Sequence, residues 1–305
     1  MDPRAVEQFR NIQASFTQGG EIPAFSLESQ NRLRTRLNTC ESRLNQLFTS
    51  SIHPERVDIT LRSEFLPTPD FFEQAILEGK PLPTDFKELI GLITDTLDIR
   101  GMRSFDGKRV MVHTVIYEPN KTPRQMSEEE AFIIARHELT HGKVEPVVVD
   151  RGSDKQERRT GCKVVSLVKG KVTNTYHTAT YEAQTDAIAV YSSHPEVTSW
   201  NDIFQIYLKE KTEINLDYEN GLAALCKLMD FAFPDFQEGM TMMGVSYFQS
   251  RDNLFITIEE KLRARGIETH ANSPFDNFFD YSCFNRSKGM HEAVNQLIAP
   301  TKPAQ

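Results

Sequence analysis

Residues 135–142 contain the run His137-Glu138-Leu139-Thr140-His141, a His-Glu-x-x-His pattern closed by Gly142. On a helix, two side chains four positions apart project within about 40° of each other, one turn apart. Two imidazoles so placed hold one divalent cation between them, and Zn²⁺ is the ion that this donor type suits. Glu138 adjoins them without being required as a ligand. It is the general base expected to take a proton from the zinc-bound water as that water attacks a carbonyl. The pattern is short and recurs by chance, so it carries weight only on a helix and with a third ligand downstream.

A third ligand is present. Glu182 follows His141 by 41 residues and is followed four positions later by Asp186, in an otherwise apolar run reading Tyr181-Glu182-Ala183-Gln184-Thr185-Asp186-Ala187-Ile188-Ala189-Val190-Tyr191. Two carboxylates on one face of a buried helix are costly unless something positive compensates them. Zinc bound by Glu182, with Asp186 accepting the free N–H of a ligand histidine, supplies that compensation.

The elements that must position these residues are legible. Ser127 and Glu130 have the spacing of a capping box, with Glu128 and Glu129 also at the positive end of the helix dipole. Ala131 to Ala135 make the next turns apolar, and Gly142, Lys143 and Pro146 mark the end. A second helix is expected from 181 to 191. A strand is expected over 109–117, where β-branched and aromatic residues cluster, with His113 read as a packed or surface residue. Val147–Val149 reads as a short strand and 150–160 as a charged loop. Residues 163–168 and 171–176 read as a hairpin that leads to Glu182.

HELTH followed by a helix carrying Glu-x-x-x-Asp resembles the gluzincins, the thermolysin-like clan of zinc peptidases, over roughly residues 109–194. The resemblance implies that His137, His141 and Glu182 are ligands, Glu138 the general base and Asp186 the orienter of a ligand ring. It also implies that the 109–117 strand binds an extended substrate as an added strand. Two departures are visible. There is no Gly-x-Met-Glu-Asn stretch of the aminopeptidase branch, and no histidine follows at the short metzincin spacing.

Peptide hydrolysis also needs a donor for the oxyanion. His177 and Tyr181 are near Glu182 in sequence, and Tyr191, His194, Tyr247, Arg251 and Tyr281 are further candidates. The sequence does not choose among them.

The rest of the chain sets the frame. With 305 residues, 39% of them hydrophobic, it has enough apolar surface for a full core. A net charge of −8 argues against a nucleic-acid surface. No apolar run reaches the length of a membrane span. Met1 to Glu7 lacks the apolar core of a signal peptide, and Cys40, Cys162, Cys226 and Cys283 form neither a metal motif nor a disulfide framework. A cytoplasmic setting is therefore expected, and oligomeric state is unreadable. The expected fold is a mainly α-helical α+β protein. A helical region over 1–100 precedes a zincin-like core with a small sheet at 101–195, and a helical part over 196–305 completes the cleft. Expected helices lie at about 26–49, 70–78, 84–97, 200–209, 218–231, 235–249, 252–265 and 288–297. The phenylalanines and Met240, Met242 and Met243 of the last third are expected in its core. The functional expectation is a zinc-dependent peptidase acting on a peptide or protein. The alternatives are a helical interaction protein with a degenerate, non-catalytic zincin core, or a zinc hydrolase of a non-peptide amide.

Overall fold

The computed structural model describes residues 25–52, 57–62, 101–103, 109–116, 123–211, 219–283 and 287–299. They form a mainly helical α+β protein with small sheets. The chain divides into two compact units, Met1–Leu37 with Val57–Glu138, and Asn38–Arg56 with Leu139–Gln305.

In the first unit, helix α1 (Leu27–Leu47) begins the described chain and continues beyond the unit. Strand β3 (Arg109–His113) lies between β1 (Asp58–Arg62), parallel to it, and β2 (Gly101–Arg103), antiparallel. A break at Thr114 separates β3 from β4 (Val115–Ile116), which pairs with β5 (Arg124–Gln125). The single strand expected over 109–117 is thus two short ones. The expected all-helical N-terminal region contains β1 as well, and the helices expected at 70–78 and 84–97 lie outside the described residues. Helix α2 (Glu128–Gly142) follows. Its first turn is capped as expected: the Ser127 amide donates to Glu130 Oε2 at 2.7 Å, and the Glu130 amide donates to Ser127 Oγ at 3.0 Å. Arg36 meets Glu129 at 2.7 Å and lies 3.7 Å over the Phe132 ring, tying α1 to the start of α2.

The second unit is built around helix α3 (Thr178–Ser193), of which 13 of 16 residues are buried. Alanines at 179, 183, 187 and 189 let neighbours approach closely. Helices α4 (Trp200–Lys211), α5 (Glu219–Ala232), α6 (Phe236–Phe248) and α8 (Pro274–Cys283) all pack against it. Helix α7 (Asn253–Ala264) packs on α5 and α6, and α9 (Ser287–Ile298) on α5 and α8. Apolar residues recur at helical spacing, as Leu222, Leu225 and Met229 do on α5, and all three are fully buried. Met240, Met243, Phe233, Phe248 and Phe278 join that core, as expected, whereas Met242, Phe231 and Phe279, also expected there, are half-buried. Helix α8 was not anticipated from the sequence.

Four strands, β6 (Val147–Gly152), β7 (Lys155–Thr160), β8 (Lys163–Val168) and β9 (Lys171–Tyr176), form an antiparallel meander in that order. The expected charged loop over 150–160 is therefore the turn and second strand of a hairpin. Ser153 and Asp154 turn it with φ of 53° and 61°, and Lys169 and Gly170 repeat the device at 51° and 74°. Two left-handed residues match the strand twist, the geometry of a type I′ turn. No residue of β7 is buried, so it lacks the apolar alternation by which a half-buried strand is read.

Candidate metal centre

Helix α2 is buried along Ala131 to Arg136 and again at Leu139 and Thr140, whereas His137 and Glu138 are half-buried. The helix thus presents these two at an accessible face, with His141, 8% exposed, one turn further on. It stops after Gly142, where the Lys143 amide turns back to Thr140 O and the Val144 amide to His141 O. Lys143 is itself buried, with its ammonium 2.7 Å from Glu41 Oε1.

Helix α3 starts at Thr178, three residues earlier than expected, because His177 adopts a left-handed conformation (φ 60°) and breaks with β9 there. Four residues into α3, Glu182 is half-buried among buried neighbours and projects out of the core. The ligand atoms of His137, His141 and Glu182 lie within 4.8 Å of one another. His141 Nε2 stands 3.0 Å from Glu182 Oε2. Donors on a tetrahedral zinc with bonds of about 2.0–2.2 Å stand about 3.4 Å apart, so small side-chain movements would close the set on an ion. Two imidazoles and a carboxylate fit zinc, and three ligands leave the fourth position to water.

The far side of the His141 ring is equally defined. Nδ1 has three hydroxyl oxygens around it: Tyr181 Oη at 2.8 Å, Tyr247 Oη at 3.1 Å and Thr185 Oγ1 at 3.3 Å. The Tyr181 ring stacks on His141 and on Tyr247, with centroids 4.7 and 5.4 Å away. Burial foremost, helped by the neighbouring Tyr181, pushes the Tyr247 phenol well above its usual pKa, so it stays protonated. The chain matches no protein-family model, no curated protein and no solved structure significantly.

The remaining candidates are placed as follows. Asp186 is buried on α3, one turn beyond Glu182. His177 packs edge-on against Phe279 at 5.4 Å, and its Nδ1 is buried with no hydrogen-bond partner among the described residues. Burial lowers its pKa, with Asp252, Arg159 and Asp280 as the charges it feels. Tyr191 donates to Gln237 Oε1 at 2.9 Å, and His194 lies between Glu196 and Glu210. Tyr281 packs over Gly289. His113 is the last residue of β3, paired with Arg62. Arg251 lines a cavity of about 860 Å³ with Asp252, Glu145 and Gln249. Of the seven oxyanion candidates, Tyr181 and Tyr247 reach the cluster, and both do so at the back of a ligand ring. Thr185 was not singled out from the sequence. Its signal was its position one turn after Tyr181 and three after Glu182, on a helix rich in alanine.

Proposed function

We propose that this chain is a zinc-dependent peptidase of gluzincin type with a zincin-like core. The observation that carries the reading is the convergence of His137, His141 and Glu182 ligand atoms within 4.8 Å, next to Glu138 on the same helix. When bound, Zn²⁺ polarises the scissile carbonyl and acidifies water. Glu138 takes the proton from the attacking water and delivers it to the leaving amine. Asp186 holds a ligand ring in orientation. The substrate is a peptide or protein, not a nucleic acid. Among the described residues no helix is long and apolar enough to cross a membrane, and the proposed setting is cytoplasmic.

A second reading rests on a specific contact. With the proton on Nε2, the 3.0 Å separation of His141 Nε2 and Glu182 Oε2 would be a good hydrogen bond, as in a helical interaction protein whose zincin core is idle. Hydrolysis of a non-peptide amide would use the same residues as the first reading.

Elemental analysis of the wild type and Glu182→Ala tests the proposal. It expects near-stoichiometric zinc in the wild type and a large loss in the variant. Equal zinc in both would move the third ligand elsewhere. No zinc in a wild type purified without chelator and offered the metal would overturn the reading.

A further inference from the structure

Tyr247 comes from α6, 106 residues after His141, yet its hydroxyl lies 3.1 Å from His141 Nδ1. The directions of the hydrogen bonds around it can be worked out from a fixed end. The carbonyl of Tyr181 only accepts, so Thr185 Oγ1, 2.9 Å away, donates its single hydrogen there. Thr185 Oγ1 is then an acceptor towards Tyr247 Oη, 2.6 Å away, and Tyr247 spends its hydrogen on Thr185. What Tyr247 turns towards His141 is a lone pair. A hydrogen on His141 Nδ1 completes a one-way chain through Tyr247 and Thr185 to the backbone of α3. Tyr181 Oη, at 2.8 Å, is a further partner of Nδ1 and accepts or donates according to the tautomer.

We infer that Tyr247, anchored through Thr185, is a positioning residue that fixes His141 as the Nδ1–H tautomer and leaves Nε2 bare towards Glu182. A bare Nε2 facing a carboxylate oxygen 3.0 Å away sets two electron-pair donors opposite each other, an arrangement that a cation between them stabilises. The backing that Tyr181, Thr185 and Tyr247 give His141 Nδ1 is neutral hydroxyl. It sets tautomer and ring angle without adding a buried charge behind the ligand. Tyr247 does this from the core: it is fully buried, and its ring is held by Tyr181 and Phe248. This role rests on the zinc reading above, but the tautomer can be observed without metal.

The test uses Tyr247→Phe, which keeps the ring, with Thr185→Val and Thr185→Ser on the full chain. Two readouts are needed: the zinc dissociation constant from competition with a chromogenic chelator, and the His141 tautomer from long-range ¹H–¹⁵N NMR of the metal-free protein. Expected are Nδ1–H in the wild type and mixed tautomers in Tyr247→Phe, with zinc binding weakened about tenfold. Thr185→Val should behave like Tyr247→Phe, and Thr185→Ser, which keeps the hydroxyl, like the wild type. An Nε2–H tautomer in the wild type would overturn the inference. So would unchanged tautomer and zinc affinity in Tyr247→Phe, including the case in which only unfolding stability falls. A wild type that takes up no zinc removes the peptidase reading, and the tautomer comparison still decides the role of Tyr247.

Discussion

A Cβ placed on Gly161 would stand 2.7 Å from the ring of Tyr181. The turn between β7 and β8 is pressed against the aromatic pair behind His141, and the Gly161 amide donates to Ser250 Oγ at 2.9 Å. Gly161 also has a φ of 58°, where an L side chain is strained. Gly161→Ala is therefore expected to cost about 2–4 kcal/mol through strain and overpacking together. It should weaken zinc binding too, since Tyr181 must move. Urea unfolding and chelator competition on one preparation check both. A loss under about 0.5 kcal/mol would show that the turn is not tightly packed.

Glu138→Gln separates chemistry from binding. The variant keeps the shape of the side chain and loses the proton acceptor. Peptide cleavage is expected to fall about 10²–10⁴-fold while zinc content is unchanged. Retained cleavage would remove Glu138 from the proton path.

The cap of α2 carries a pH dependence. Burial opposes ionisation of Glu130, but the Arg124 hydrogen bond and the Ser127 amide outweigh it and hold the carboxyl below its usual 4.5. The folded state therefore prefers the carboxylate. Its contribution is complete above about pH 4.5 and is lost as the pH falls from there through the lowered folded value. Wild type should lose stability over that interval more steeply than Glu130→Gln, in denaturant titrations at about pH 6 and about pH 4. Parallel slopes would refute the assignment.

Lys143 and Glu41 are a buried pair 2.7 Å apart. Lys143→Met leaves a carboxylate that is 8% exposed without that ammonium, at an expected cost of about 3–5 kcal/mol. Adding Glu41→Leu should recover most of it, because two apolar side chains replace two buried charges. A double variant no more stable than Lys143→Met would show that the pair holds α1 by something other than charge.

What was legible in the sequence was whatever a local rule governs. The Ser127–Glu130 box, the Gly142 stop and the alternation of the apolar helices all placed elements within a few residues. Strand β7 escaped because Lys155 to Thr160 buries neither face, so no alternation marks it. Strand β1 escaped because its partner β3 lies across a long separation, and pairing is not a local property. At the site, the pairing of His137 with His141 could be read because the geometry of one helix sets it, whereas Glu182 comes from a second helix and its approach is tertiary. The hydroxyls behind His141 could not, since Tyr247 arrives through the packing of α6 on α3. The sequence named Tyr181 and Tyr247 as partners for an oxyanion, and their places at Nδ1 follow from a tertiary contact that no spacing encodes.

The burial of α3 has an evolutionary consequence. Glu182 rides on a helix whose every other face is wedged among α4, α5, α6 and α8. A volume change at Ala183 or Ala187 would slide the carboxylate by a fraction of an ångström, enough to misplace a donor on so small an ion. The interior of this unit and its accessible cluster cannot then drift independently. Lineages that retain the cluster are expected to show paired, size-compensating exchanges across these four helices rather than free substitution of one apolar residue for another.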